Sequence, residues 1–414
     1  MSNRDTSLAE SAPVRRGPVS RQVVILIGSR GLAAVLQSVS FMLLSRAVDL
    51  RTFGVIGVVT AIAGFALLVS DLGVTATLSR ARARQDHALV RGALQLNDVV
   101  TVVSAVLFGV AAGFAAAPGV ALAILAVSLT VERNVETHLS VFYADGSRFV
   151  PAVSILGRRL LMLAVFWGSL QASVDGALAF AIAQLAGATF SQVLQRITLA
   201  PLSRTASPLG LGTVFRGSWR FWASSVLNQV RILDSAIVGA FASVASAGLY
   251  AAAQKLVNPL LLLPASLSQV ILPAVARDRS NVRRITKRVC GLFLGTYVVI
   301  VPVTFFARGL LDLLFGSPYG DGASILVWAM LGFPMLALSG PLAAILQGLG
   351  DEGFVALNGA LFAVVALIAM VGGAIMFGPT GVAAGMTIAY TLRTPVLVVR
   401  IFRSDLRRSE SVQP

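Results

Sequence analysis

The sequence predicts an all-α, polytopic membrane protein with twelve transmembrane helices in two six-helix lobes related by a parallel pseudo-repeat. Three observations carry that prediction. Of the 414 residues, 56% are hydrophobic and only 12% charged, with a mean hydropathy of +0.84. A bilayer-crossing helix needs roughly 20 mostly apolar residues, and about a dozen such runs follow one another. These runs lack period-two alternation, which excludes a transmembrane β-barrel. Finally, the two halves of the chain share one design, described below.

The elements in order are as follows. After a polar, Arg-containing tail (1–21), read as cytoplasmic, span 1 covers about 22–45 and span 2 about 53–77. The basic stretch Arg80–Arg91 separates span 2 from span 3 (about 97–116), and Pro118-Gly119 turns the chain into span 4 (about 120–142). Spans 5 (about 152–171) and 6 (about 175–196) complete a first lobe, 22–196. The Pro, Gly, Ser and Arg-rich stretch 197–217 is the natural joint between halves. The second lobe, 218–402, holds spans 7 (about 219–241), 8 (247–275), 9 (289–307), 10 (323–346), 11 (354–377) and 12 (380–402), and 403–414 is a C-terminal tail.

Charge sets the orientation. Of the 33 Lys and Arg, 25 flank the spans on the side of the termini, and three (Arg46, Arg51, Arg308) lie on the other. By the positive-inside bias both termini are expected to be cytoplasmic. The net charge of +15 is thus a topology signal. Its cations are not interleaved with aromatics, so no nucleic acid is expected as a partner. Five cations remain at bilayer depth: Arg30, Arg133, Arg231, Lys255 and Arg393. Each costs on the order of 3 kcal/mol even on insertion scales and needs a reason to be there.

Sliding the chain by 194 residues places Gly54 on Gly248, Arg231 on Gln37, and one Arg-rich loop beside another. Six spans per half keep both halves in one orientation, a parallel repeat about an axis along the membrane normal. A cavity opens between two lobes in that arrangement. No nucleophile elbow, P-loop or dinucleotide fingerprint occurs, and the lone Cys290, with His87 and His138, offers no metal spacing. No cofactor or metal is expected.

Two groups of residues carry a resemblance. The run Ser45-Arg-Ala-Val-Asp-Leu-Arg-Thr-Phe-Gly-Val with Ser70-Asp-Leu-Gly-Val-Thr is one. Leu233-Asp-Ser-Ala-Ile-Val-Gly with Ala247-Gly-Leu-Tyr-Ala-Ala-Ala and Pro264-Ala-Ser-Leu-Ser-Gln-Val-Ile-Leu-Pro-Ala-Val-Ala-Arg is the other. Both resemble bacterial polysaccharide repeat-unit flippases of the multidrug/oligosaccharidyl-lipid/polysaccharide (MOP) exporter superfamily. The resemblance implies a V-shaped, two-lobe inner-membrane protein with no enzymatic step. It would flip an undecaprenyl-diphosphate-linked oligosaccharide from the cytoplasmic to the periplasmic leaflet by alternating access. Membrane lipids, a polysaccharide polymerase and glycosyltransferases are the implied partners. Lipid II flippases of the superfamily carry arginines in the first span, a placement Arg30 fits. Multidrug exporters tend to use a carboxylate in the first or seventh span, and Asp234 keeps that alternative open. A membrane polymerase or glycosyltransferase is the other alternative, but the chain lacks a large extramembrane loop.

The candidate substrate contacts are Arg30, Gln37, Asn228, Arg231, Asp234, Lys255 and Asn258. Arginine suits a diphosphate because its guanidinium stays charged and binds phosphate oxygens two at a time. Asn228, Gln37 and Asn258 are suited to sugar hydroxyls, although such residues also join helices to one another. Arg231 and Asp234 are three residues apart, which also allows a local ion pair. Glu132 and Glu136 share a face of span 4 and are candidates for ion coupling, against the plainer reading of internal pairing. Arg158, Arg159 and Arg393 are read as topology anchors, and Pro259, Pro264 and Pro302 as helix bends.

Overall fold

The computed structural model describes residues 19–115, 117–147, 149–200, 229–278 and 281–411, together with 210, 212, 214–216, 222 and 226. Among these residues there is no strand. The first half runs α1 (Val19–Ala47), α2 (Leu50–Ser70), α3 (Val74–Ala83), α4 (His87–Ala115), α5 (Gly119–Ala144), α6 (Phe149–Gln171) and α7 (Gly176–Leu199). In the second half a 3-10 turn (Val230–Leu233) leads into α8 (Asp234–Phe241) and then α9 (Val244–Val257). A further 3-10 turn (Asn258–Leu261), α10 (Leu262–Arg277), α11 (Val282–Gly295), α12 (Tyr297–Thr304) and α13 (Ala307–Phe315) follow. A 3-10 turn (Ser317–Gly322), α14 (Ala323–Gly348) and α15 (Glu352–Ser411) complete it.

The helices fall on the expected spans in order. Eight described segments are long and apolar enough to cross a membrane. The order accords with twelve crossings, the seventh being described from Gln229 onward. Several spans are interrupted. Span 2 breaks at Leu72 and Gly73, both with positive φ, into α2 and α3. Span 8 is not one helix, because Pro259, which has no N–H to donate, sits in the 3-10 turn between α9 and α10. Spans 11 and 12 are the two limbs of α15, separated by Gly378 (φ 61°, ψ −144°), a conformation open to glycine alone.

The two halves meet around a near-symmetric backbone contact. A Cβ on Gly54 would overlap the carbonyl oxygen of Val244, and one on Gly248 would lie 2.6 Å from that of Leu50. Each of these pairs maps onto the other by the 194-residue shift. So do the two N-caps: Asp49 accepts from the amides of Arg51 and Thr52, and Ser243 from that of Ser246. One turn further along, a Cβ on Gly57 would lie 3.1 Å from Cβ of Ala251, again a pair related by the shift. The repeat seen in sequence is therefore a helix pair, α2 against α9, crossing at its glycines.

The α1–α2 turn also closes on the second half at this end. Ser45 Oγ donates to the carbonyl of Phe315 (3.0 Å) and Arg46 Nη2 to that of Leu313 (2.5 Å). Both acceptors lie in the last turn of α13, where carbonyls have no helical partner and a cation is favoured by the helix dipole. Buried rings continue the contact in a chain, Phe166–Phe180–Phe41–Phe53–Tyr319–Phe315, with successive centroids 5.3–6.4 Å apart. Such edge and tilted pairs contribute about 0.5–1.5 kcal/mol each beyond area burial.

Gly54→Val is expected to force α2 off α9 and lower the thermal unfolding temperature, at an overpacking cost of about 1–3 kcal/mol. Gly291→Val, where a new Cβ meets no heavy atom within 4 Å, serves as the neutral control. Equal melting curves for the two variants would contradict the role given to this contact.

Candidate functional site

Just beyond the glycine contact, α1, α2, α8 and α9 enclose a cleft of about 190 Å³. Its two walls differ in chemistry. The first half supplies Phe41 from α1 and Phe53, Gly57, Thr60 and Ala61 from α2. The second half supplies Arg231 and Ile232 from the 3-10 turn before α8, Asp234 and Ser235 from the start of α8, Ala251, Gln254 and Lys255 from α9, and Asn258 from the 3-10 turn after it. Both polar segments lie at helix breaks, the 3-10 turns at Val230–Leu233 and Asn258–Leu261. The breaks face each other, and Arg231 Nη1 lies 3.4 Å from Asn258 Oδ1, to which it donates.

Each charge in the cleft is accommodated differently. Among the described residues no ion pair joins Arg231 to Asp234, so the local pairing that their spacing allowed is not made. Asp234 Oδ1 instead accepts from the amide and hydroxyl of Ser235, at 2.5 and 3.2 Å, at the start of α8, where the helix dipole favours an anion. The ammonium of Lys255 sits 3.6 Å from the centroid of the Phe41 ring. Such a contact contributes up to about 2 kcal/mol when desolvated, but leaves the positive charge uncancelled. The Lys255 carbonyl accepts from Ser38 Oγ across the lobe boundary (3.4 Å). Gln254 is buried and donates to Tyr250 Oη at 2.8 Å.

Four of the predicted contacts, Arg231, Asp234, Lys255 and Asn258, thus come together in one cleft. Arg30 and Gln37 do not line it. Arg30 is about 16 Å along α1 from Phe41, at 1.5 Å per residue. It donates to Tyr143 Oη (3.1 Å) and lies over that ring. Eleven residues is close to three helical turns, so Arg30 and Phe41 share a face of α1. Asn228 lies outside the described residues. Phe41, Thr60 and Gln254 were missed in sequence. Gln254 carries the signal of an amide at bilayer depth, whereas an aromatic or threonine in an apolar run carries none. The spacing of Phe41 from Arg30 was the available clue.

Glu132 and Glu136 do not line the cleft and are paired within the first half. Arg159 Nη2 donates to Glu132 Oε1 (2.6 Å), Arg158 Nη1 lies 3.5 Å from the same oxygen, and Gln184 Nε2 donates to Oε2 (3.1 Å). Glu136 accepts from Arg158 Nη2 (2.7 Å). The geometry is that of internal pairing. It also corrects the reading of Arg158 and Arg159 as surface anchors. Both are about 95% buried and form the core of a four-charge cluster between α5 and α6. Arg393 donates to Asn358 Oδ1 (3.1 Å) between the limbs of α15, and Arg133 pairs with Asp71 (2.7 Å).

Comparison with known proteins now bears on this geometry. A family model described as "Polysaccharide biosynthesis protein" matches residues 43–323, about two thirds of the chain. The chain belongs to this family. No curated protein matches it. Among solved structures, the inward-facing conformation of a multidrug resistance MATE family transporter of the MOP superfamily superposes with a TM-score of 0.70. It is 13% identical and covers 95% of this chain and 100% of its own. Lipid II flippase MurJ, in an inward closed conformation, gives 0.69 at 13% identity, covering 91% and 87%. An outward-facing MATE family transporter of the MOP superfamily gives 0.64 at 16% identity, covering 95% and 97%. The chain shares the fold of these solved transporters and flippase, the fold that the sequence resemblance implied.

The cluster around Glu132 generates a stability prediction. Glu132→Ala leaves two buried guanidiniums short of a counter-charge and is expected to cost about 3 kcal/mol or more, read as a lowered unfolding temperature. Glu136, whose carboxylate is 35% exposed, is expected to tolerate the same change better. Equal losses at both positions would contradict the internal role assigned to Glu132.

Proposed function

We propose that this chain is a flippase, not an enzyme, and that it carries an undecaprenyl-diphosphate-linked oligosaccharide from the cytoplasmic to the periplasmic leaflet of the bacterial inner membrane. The observation that carries this reading is the cleft, which presents Arg231 and Lys255 without a paired carboxylate opposite an apolar wall. A diphosphate supplies the missing negative charge, and guanidinium binds it with directed hydrogen bonds. Asn258 and Gln254 face the sugars, while the prenyl chain stays in lipid. That spares the protein the cost of enclosing it. The family description, which names polysaccharide biosynthesis, agrees with this substrate class.

In this reading both termini are cytoplasmic, and the α1–α2 turn with the end of α13 forms the periplasmic closure. The lobes, 22–196 and 218–402, rock about the α2–α9 contact. Arg30, on the same face of α1 as Phe41 and nearer the cytoplasmic end, meets the headgroup on its way to the cleft. Polysaccharide polymerase and glycosyltransferases act on the same lipid-linked sugars before and after it.

Asp234 in the same cleft favours one alternative, a cation-coupled exporter of drugs or metabolites, and the two readings part on mutation. Arg231→Ala and Lys255→Ala are each expected to reduce polysaccharide export about tenfold, the equivalent of about 1.4 kcal/mol of headgroup binding. Export unchanged at normal protein levels removes both residues from the mechanism. Resistance to small cationic compounds that is lost in Asp234→Asn, with export intact, establishes the exporter instead.

A further inference from the structure

Phe41 is the one residue of the apolar wall that touches a charge of the polar wall. It is 5% exposed, and its ring is fixed by two others, Phe180 of α7 at 5.3 Å and Phe53 of α2 at 6.4 Å between centroids. Its face carries the Lys255 ammonium, 3.6 Å from the centroid. One turn earlier in α1, Ser38 Oγ donates to the Lys255 carbonyl. A helix of the first half thus holds both the backbone and the side chain of one residue from the second.

A stronger partner for that ammonium lies close by. The carboxylates that act on Lys255 are those of Asp234 and Glu132. Glu132 is taken up by Arg159, which leaves Asp234, and Asp234 lines the same cleft of about 190 Å³. Opposite charges sharing so small a space attract strongly, because little water separates them. Lysine also has a flexible four-carbon stem on which its charge can be re-aimed. Yet among the described residues no ion pair joins Lys255 to Asp234. The carboxylate is turned to the amide and hydroxyl of Ser235, and the ammonium to the ring.

We infer that Phe41 is a positioning residue: its ring holds the Lys255 ammonium away from Asp234 and so keeps it open to an anion entering the cleft. The face of an aromatic ring attracts a cation without bringing a negative charge of its own. A phosphate oxygen therefore displaces it readily, whereas it would have to compete with a carboxylate already in place. A leucine fills much of the same space but offers no such face, and the ammonium then closes on Asp234. That the anion is a diphosphate headgroup rests on the function proposed above, while the positioning of Lys255 does not.

The test uses the full chain in mild detergent and begins with thermal unfolding in the absence of ligand. With Phe41 in place, the shifts caused by Asp234→Asn and Lys255→Met are expected to add. In Phe41→Leu they are expected not to add, because the two side chains then interact directly. Phe41→Met serves in its place should the leucine variant not fold, and Phe41→Tyr, which keeps the ring, is expected to behave as the wild type. Phe166→Leu removes a buried ring from the same aromatic chain without touching Lys255, and is expected to lower the unfolding temperature while preserving additivity. Binding of farnesyl diphosphate, a short prenyl diphosphate, is then expected to weaken about tenfold in Phe41→Leu and to recover when Asp234→Asn is added. Additive shifts in Phe41→Leu, the same loss of additivity in Phe166→Leu, or weakened binding that Asp234→Asn does not restore overturns the proposal. The expected coupling with no binding of farnesyl diphosphate by the wild type upholds the positioning of Lys255 and overturns the headgroup reading of the cleft.

Discussion

Everything at the centre of this molecule depends on two backbone segments approaching more closely than side chains allow. Gly54 lies against the carbonyl of Val244, and Gly248 against that of Leu50. In a bilayer, helices gain little from excluding water from one another, so close backbone contact over small residues is a principal source of association. Here the contact lies between the halves at the ends of α2 and α9, next to their N-caps. The cleft follows from it. Past Gly57 and Ala251, α2 continues as a regular helix while α9 becomes polar at Gln254 and Lys255 and breaks into a 3-10 turn at Asn258, and the space between them holds charge.

The bilayer-depth charges divide into two groups by how they are stabilised. In the first half most are cancelled locally, Glu132 and Glu136 against Arg158 and Arg159, Asp71 against Arg133, Asp98 against Arg196, while Arg30 meets the neutral Tyr143. Arrangements of this kind fix helices to each other, and breaking one partner is costly. At the cleft Arg231 and Lys255 are stabilised without a direct ion pair, two cations sharing the space with the one carboxylate of Asp234. A ring face under Lys255 and an amide oxygen near Arg231 lower the cost of burial but leave the field of each cation available to a ligand. An ion pair at either position would have removed that field. The difference between a structural and a binding arginine is therefore a matter of what lies opposite it, which depth alone does not reveal.

This division explains what the sequence made legible. Span order and the 194-residue shift were readable, because hydropathy and short turns follow directly from bilayer thickness and connectivity, and the described helices are consistent with the six-plus-six design. The cluster of Arg231, Asp234, Lys255 and Asn258 was readable because all four lie on consecutive segments joined by a tight turn. Arg158 and Arg159 were misjudged because two adjacent arginines near a helix start look like an edge signal, and their partners are more than twenty residues away on α5. The break in span 2 also escaped, and at Pro259 in span 8 the bend expected from sequence is a full break in the structure. A hydropathy run continues across Gly73 and Pro259, and only backbone geometry shows where the helical hydrogen bonds stop. Phe41 is the sharpest omission, since an aromatic ring in an apolar helix is indistinguishable from packing until a cation is found above it.

The near-symmetry of the halves makes their asymmetry informative. Under the 194-residue shift, Arg231 corresponds to Gln37, Asp234 to Ser40, Lys255 to Ala61 and Asn258 to Gly64. Every cleft charge thus has a neutral counterpart in the other half, while Phe41 and Phe53 correspond to Ser235 and Ala247. One copy of the repeat has become the polar wall and the other the apolar wall. A symmetric cleft would have presented cations on both sides, with mutual repulsion and no preference for an amphiphile. In the function proposed above, placing all the charge on the second half would let a headgroup be held by one lobe while its apolar neighbour slides against the other.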